Sequence, residues 1–282
     1  MTEQTDTVPT IIIEPTRGLA ALQLRALWEY RELLGFLVWR DVKVRYKQTA
    51  LGVAWIILQP LISMLIFTVL FGYLLQAPSD GVPYPVFAYA GLLPWNYFAG
   101  SLTRSSQSLV GSANLITKVY FPRLVIPISG VLGGLVDFAV ASVVLAGLML
   151  VYRIPPTINI VWLPGFLLLA LATALGFGLW LAALNVRYRD VNYVVPFLVQ
   201  IWMYLTPVIY SVTLIPEQYR WLLALNPMTG VVGGFRWALL GGVMQTEPPG
   251  ALFAVSVAIT LMVLVSGAVF FRSTERTFAD VI

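Results

Sequence analysis

The sequence predicts an all-α polytopic membrane protein: six transmembrane helices, an N-terminal amphipathic interface helix, and re-entrant outer helices between spans 5 and 6. Three observations carry that expectation. Mean hydropathy is +0.84 with 11% charged residues over 282 positions, far more apolar than a soluble domain of that length requires. A bilayer core about 30 Å thick needs roughly 20 apolar residues per helix, and several stretches supply them. Fourteen of the seventeen Lys and Arg residues lie in alternate gaps between those stretches, which sets an orientation by the positive-inside rule.

Residues 1–18 read as a cytoplasmic tail. They carry Glu3, Asp6, Pro9 and Pro15 but no basic segment ahead of a short apolar one, so the start is not a cleaved signal peptide. Residues 19–50 read as an amphipathic interface helix with a basic connector. Leu27, Tyr30, Leu34, Leu37 and Val38 share one helical face within Leu24–Lys47, with Trp28 and Trp39 as interfacial anchors. Its end, Arg40 to Lys47, is basic and includes Arg45. The helix can be a topology anchor, or it can pack on a cytoplasmic partner or gate a pore, and periodicity does not separate these.

Residues 51–282 form a six-helix transmembrane domain. The expected spans are Val53–Leu75, Pro85–Leu102, Leu124–Val151, Trp162–Asn185, Val191–Val212 and Ala251–Phe271. Seven basic residues precede the first span, three lie between spans 2 and 3, two between spans 4 and 5, and two follow the last. Both termini are therefore expected in the cytoplasm.

Composition removes several functions. With no Cys and no His there are no disulfides, thiolate nucleophiles, His-based triads or Cys/His metal sites, and no metal ligand set or catalytic group is expected. No phosphate-binding Gly-x-x-x-x-Gly-Lys-Ser/Thr loop occurs. The net charge of +4 is explained by anionic headgroups at the cytoplasmic helix ends rather than by nucleic acid. Asp137 is the one clear acid inside a span. It can couple an ion, hydrogen-bond another helix, or face an aqueous cavity.

Two connecting segments are unusual. Thr103–Arg123 begins polar and ends Asn114-Leu115-Ile116-Thr117-Lys118-Val119-Tyr120-Phe121-Pro122-Arg123. Asn114 can cap a short helix and Pro122 stop it. A partly apolar helix in a cytoplasmic loop suits a socket on another protein. The third inner contact, Arg187-Tyr188-Arg189-Asp190, is a tight turn. On the outer side Thr213–Gly250 holds two short apolar runs, Trp221–Leu225 and Val231–Val243, parted by Asn226-Pro227. The second run includes Trp237. Each is too short to span, which fits re-entrant helices forming an outer gate, or else an ordered cap on the surface. Trp95, Tyr97, Tyr193, Phe197, Trp202, Tyr204 and Tyr210 can be packing residues, or flat weakly polar faces along which sugar rings slide.

The run Arg40-Asp41-Val42-Lys43-Val44-Arg45-Tyr46-Lys47-Gln48-Thr49, with Leu51-Gly52-Val53-Ala54-Trp55 and Gln59-Pro60-Leu61, resembles the membrane subunit of polysaccharide ABC exporters, the O-antigen and teichoic-acid export permeases. Gly91-Leu92-Leu93-Pro94-Trp95, the segment 115–123, Asn185 to Val191, Thr206-Pro207-Val208-Ile209-Tyr210 and Leu225-Asn226-Pro227-Met228 continue the likeness in order. The resemblance implies a six-span permease working as a homodimer with two copies of a separate cytoplasmic ATP-binding subunit. ATP and Mg would be used by that partner, with no cofactor on this chain. The cargo would be a lipid-linked polysaccharide crossing the bacterial inner membrane. The resemblance also implies an interface helix over about Leu24–Val38, a coupling helix at Asn114–Tyr120, and an outer gate at Trp221–Leu225 and Val231–Leu240. Two other readings compete: an exporter of a small hydrophobic compound or drug, and a membrane-embedded sugar transferase. The transferase needs paired carboxylates, whereas Asp41, Asp190 and Asp280 are scattered.

Overall fold

The computed structural model describes residues 24–47, 52, 54–244, 249–275 and 278. Within them every long element is an α-helix, as apolar segments in lipid require. Without water, only a helix satisfies its own backbone groups. In order these are α1 (Leu24–Glu29), α2 (Arg31–Lys47), α3 (Ala54–Phe67), α4 (Tyr84–Gly111), α5 (Ala113–Lys118), α6 (Val125–Leu132), α7 (Gly134–Val151), α8 (Leu163–Arg187), α9 (Val191–Leu205), α10 (Arg220–Ala224), α11 (Pro227–Leu240) and α12 (Ala251–Thr274). Four continuous helical stretches are long and apolar enough to cross a membrane: Ala54–Leu74, Val125–Val151, Ile158–Arg187 and Phe253–Thr274. The chain is thus a multi-pass membrane protein.

The two remaining expected spans differ in instructive ways. Span 2 was expected to end at Leu102 with a polar cytoplasmic segment beyond it. Instead α4 runs 28 residues to Gly111. Its polar residues do not end it because they are enclosed by protein. Ser101, Ser105 and Ser106 are each 0% exposed, and Ser106 and Ser108 return their hydroxyls to carbonyls of their own helix at 2.8 and 2.7 Å. Small side chains allow close helix approach, and α8 lies lengthwise along α4. Span 5 was expected to reach Val212, but α9 stops at Leu205 before the irregular stretch 206–211. At 1.5 Å per residue its 15 residues cover about 22 Å, short of the hydrocarbon thickness.

Span 3 is two helices, α6 and α7, meeting at Gly133 with the backbone still helical (φ −59, ψ −21). Span 1 widens from α3 into a π-helical turn over Thr68–Leu74. The amphipathic segment is likewise split at Tyr30 into α1 and α2.

Two apolar cores hold these elements. The larger joins α4, α7, α8, α11 and the 208–209 stretch, with Phe87, Tyr89 and Val232 fully buried. The smaller gathers Leu37, Leu109, Ile116, Val125, Val186 and Phe271, the ends of helices at the basic face of the molecule. The outward faces of α3, α7 and α12 keep Leu65, Val143 and Met262 exposed, as side chains that meet lipid should be.

Helix α12 docks on α8 by close approach and shared hydroxyls. A Cβ on Gly176 would sit 2.8 Å from the Leu264 nitrogen, and one on Gly267 would collide with the Gly176 carbonyl oxygen. Thr173 and Thr260 hydroxyls meet at 3.0 Å, and Trp180 stacks on Phe270 at 4.0 Å. Gly267→Leu should therefore force the pair apart, at the roughly 1–3 kcal/mol typical of overpacking. It should lower the unfolding temperature of the detergent-solubilised protein. Gly147→Leu, with nothing within 4 Å, should not. Equal melting of the two variants contradicts this packing.

Candidate functional site

The smaller core is where the sequence-predicted coupling elements converge. On α1 and α2, Leu27, Tyr30, Leu33 and Leu34 pack against it and Leu37 is 1% exposed. The opposite side of the helix shows Trp28, Phe36 and Trp39 to the surroundings. The segment therefore has an apolar face for protein and a second one for the bilayer interface. Arg40 is engaged with its neighbour Asp41 at 2.8 Å.

The segment Asn114–Tyr120, expected to be helical, holds the helix α5 over Ala113–Lys118, with Ser112 rather than Asn114 at its N-terminus. Its faces are divided. Ile116 is buried and Leu115 half-buried in this chain's own core, whereas Asn114, Thr117, Lys118, Val119 and Tyr120 are exposed. Leu115 and Ile116 thus root the element in this chain's own core. Beyond it, the Arg123 backbone N–H donates to Glu275 Oε1 at 3.2 Å, and the Arg123 guanidinium donates to the Glu275 carbonyl. Arg272 also pairs with Glu275 at 2.6 Å, so the exit of the α5 loop is tied to the end of α12. Arg187 and Arg189 are exposed at the end of α8. Beneath them Asn185 is fully buried, donating to the Ser106 carbonyl and to Asn192 Oδ1, each at 2.9 Å.

The end of α2 reaches the bundle through Asp137. Arg45 Nη1 donates to Asp137 Oδ2 at 2.5 Å, the Tyr46 hydroxyl donates to Oδ1, and Arg104 Nη1 stands 3.5 Å from Oδ2. Burial, then the hydrogen bond to Asp137, push the Tyr46 phenol above its ordinary value. This acid therefore ties α2, α4 and α7 together, which accounts for a carboxylate inside an apolar span. Sequence reasoning singled out Asp137 and Arg45 separately. It did not assign Arg104 or Tyr46 to the site, because Tyr46 stood only within the basic run 40–49 and Arg104 only at the polar start of the segment 103–123.

The aromatic candidates divide by the face they occupy, and α9 contributes to both groups. Trp95 and Tyr97 are 2% and 3% exposed. Trp95 packs on Phe98, and Tyr97 meets Phe138 edge-on. Trp202 lies edge-on between Phe98 and Phe177, each at 4.9 Å. These three are core residues of the chain. By contrast Tyr193, Phe197 and Tyr204 share one face of α9 and are 83%, 62% and 53% exposed. Tyr210 is half-buried, donating to the Tyr204 carbonyl at 3.2 Å.

On the predicted outer side, Asn226 caps α11 by accepting from the Met228 N–H at 3.1 Å. It also accepts from Trp202 Nε1 at 2.9 Å and donates to the Thr206 hydroxyl at 2.8 Å. Pro227 follows it, buried, at the helix start. Helix α11 is packed among α4, α8 and α12, while Trp221 of α10 is 56% exposed and Trp237 half-buried. Nothing in the local pattern announced Arg236, 4% exposed within α11. It donates to the carbonyls of Pro207 at 2.7 Å, Phe87 at 3.3 Å, and Val208, and lies 3.6 Å over the Phe87 ring. Only glycine fits at 91, since a Cβ there would stand 2.6 Å from both Arg236 Nη2 and the Val208 oxygen.

Comparison with known proteins accords with this arrangement. Residues 32–240 match the family described as ABC-2 type transporter. The O-antigen export system permease protein RfbA of Myxococcus xanthus is 33% identical over 261 residues, covering 91% of this chain and 98% of that protein. The protein of the same name from Klebsiella pneumoniae is 29% identical, covering 89% and 95%. The polysialic acid transport protein KpsM of Escherichia coli is 27% identical, covering 84% and 91%. With the family matched over most of its length, the chain belongs to the ABC-2 type transporters.

Proposed function

We propose that this chain is the path-forming membrane subunit of an ATP-driven exporter that moves a lipid-linked polysaccharide across the bacterial inner membrane. The observation that carries the reading is near full-length similarity to permeases named for O-antigen export and polysialic acid transport. ATP and Mg belong to two copies of a separate cytoplasmic subunit, in keeping with a sequence that has no phosphate-cradling loop. Two copies of this chain form the assembly. The exposed Tyr193, Phe197 and Tyr204 face of α9 then lines a path between them. Stacking on flat rings tolerates sliding, whereas fixed charges would hold a polymer in place.

The membrane passages are α3, α4, α6–α7, α8, α9 with the stretch that follows it, and α12. Both termini lie in the cytoplasm, and α10 and α11 act as a re-entrant outer gate. Movement of the ATP-binding subunits presses on the exposed side of α5. Ile116 passes the displacement into the smaller core, and the Arg123–Glu275 contacts pass it to α12. Export of a small hydrophobic compound is the competing reading, and apolar cavities of about 530 and 600 Å³ would suit it. The names of the relatives weigh against it.

The direct test is reconstitution in vesicles with the ATP-binding subunit and a lipid-linked glycan. Export should require ATP and ignore a proton gradient, and the isolated chain should hydrolyse no ATP. Gradient-driven export without ATP defeats the proposal.

Coupling can be separated from folding on α5. Tyr120 is 81% exposed, so Tyr120→Asp should leave melting unchanged while ATPase co-purification and export fall. Ile116→Asp buries an unpaired charge in this chain's own core, and should cost several kcal/mol of stability. Normal assembly and export by Tyr120→Asp remove α5 from the coupling role.

Alanine at Tyr193, Phe197 and Tyr204 should reduce export in steps as replacements accumulate, at constant melting temperature. Trp95→Ala, by contrast, should cost about 3–5 kcal/mol of stability as a large buried ring. Full export by the triple variant excludes the α9 face as the path.

A further inference from the structure

A cavity of about 370 Å³ opens where the end of α2 meets α3, α4 and α7, and Arg45, Tyr46, Arg104 and Asp137 all line it. Its polar content is unbalanced. Two guanidinium groups face a single carboxylate, and Asp137 is the only acid in the wall among the described residues. Each guanidinium has five N–H donors in a fixed fork. Arg104 is held in place by the Gly130 carbonyl at 3.1 Å and the Ser101 hydroxyl at 3.1 Å. Its Nη1 remains 3.5 Å from Asp137, beyond the 2.7–2.9 Å of a charge-assisted bond. Arg45 reaches the carboxylate through Nη1 alone. The side chains of Arg45, Arg104 and Asp137 are 27%, 27% and 26% exposed, so a ligand can reach them. Gln59 and Asn96 add neutral polar groups, and Trp55, Ile56, Leu93 and Phe138 make the rest of the wall apolar.

We propose that this cavity binds the phosphate group of an anionic amphiphile, with Asp137 as the counter-ion that the phosphate displaces. Phosphate oxygens take over the Arg45 and Arg104 forks, which match their geometry. The apolar wall receives the adjoining part of the tail. Freed from Arg45, Asp137 keeps the end of α2 only through the Tyr46 hydroxyl, so ligand entry loosens the hold of α7 on the interface helix. Only the identity of the amphiphile as the exporter's cargo rests on the function proposed above.

The test uses the full chain with its ATP-binding subunits in phosphatidylcholine nanodiscs, titrated calorimetrically with farnesyl diphosphate. Binding should weaken with salt, and Arg45→Gln and Arg104→Gln should weaken it about tenfold or more, as loss of a charge-assisted bond implies. Asp137→Asn removes the internal competitor and should tighten it. If the Gln variants fold poorly, Arg45→Lys and Arg104→Lys keep the charge and should retain part of the affinity. The chain has no native Cys, so a spin label on Val44→Cys reports α2 and should gain mobility when ligand binds. Unchanged affinity in both Gln variants, weaker binding in Asp137→Asn, or an immobile label overturns the proposal. Inorganic pyrophosphate binding as tightly as farnesyl diphosphate overturns the amphiphile assignment. Equal competition by phosphatidylglycerol vesicles supports the site and identifies a bilayer lipid as its ligand. A wild-type complex without ATP-dependent export defeats the exporter reading alone. Arginine variants that export normally and bind like wild type defeat this site alone.

Discussion

A chain that leaves the helical conformation among apolar segments must find a protein partner for every backbone group it exposes, because lipid offers none. The stretch after α9 is such a place, and Arg236 supplies the answer. One side chain donates to the carbonyls of Pro207 and Val208 and to that of Phe87 on α4, so the break, α4 and α11 become one unit. The cost of burying a guanidinium is offset by these bonds and by the face of Phe87. The Asn226 cap adds a second tie, joining the start of α11 to Trp202 and Thr206. A short α9 and a buried α11 are therefore one structural solution.

At the other end of the molecule the ties are mixed in character. Apolar side chains from six helices meet in the smaller core, while ionic contacts fasten its edges: Arg45 to Asp137, and Arg123 and Arg272 to Glu275. Packed cores tend to switch between discrete arrangements rather than deform continuously. A push on the exposed side of α5 would therefore be shared by α4, α8 and α12. The ionic edge contacts are the parts able to exchange partners without unpacking the core.

The central position of α4 explains why polar residues are tolerated there. A helix facing lipid must be apolar around its outer surface, but one enclosed by α6, α7, α8 and α11 can carry serines and an arginine provided each finds a partner. Most of them do. Arg104 serves two neighbouring elements, and the serine hydroxyls of 106 and 108 return to the helix itself.

The sequence by itself determined the membrane character, the apolar helices and the place of the partly apolar loop helix. These follow from local composition: hydropathy over roughly 20 residues, helical spacing, and stops such as Pro122. Charge asymmetry likewise led to an expected orientation. Only the tertiary structure decided which face of each helix is used. Ile116 turns inward while Tyr120 stays outside, and Trp95 packs inside while Phe197 remains exposed. It also decided the partners of Asp137 and Arg236, which lie up to 92 and up to 149 residues away along the chain. Periodicity records that a side chain sits on a stripe. Which stripe meets protein, lipid or a partner depends on contacts remote in sequence, and no local pattern encodes those.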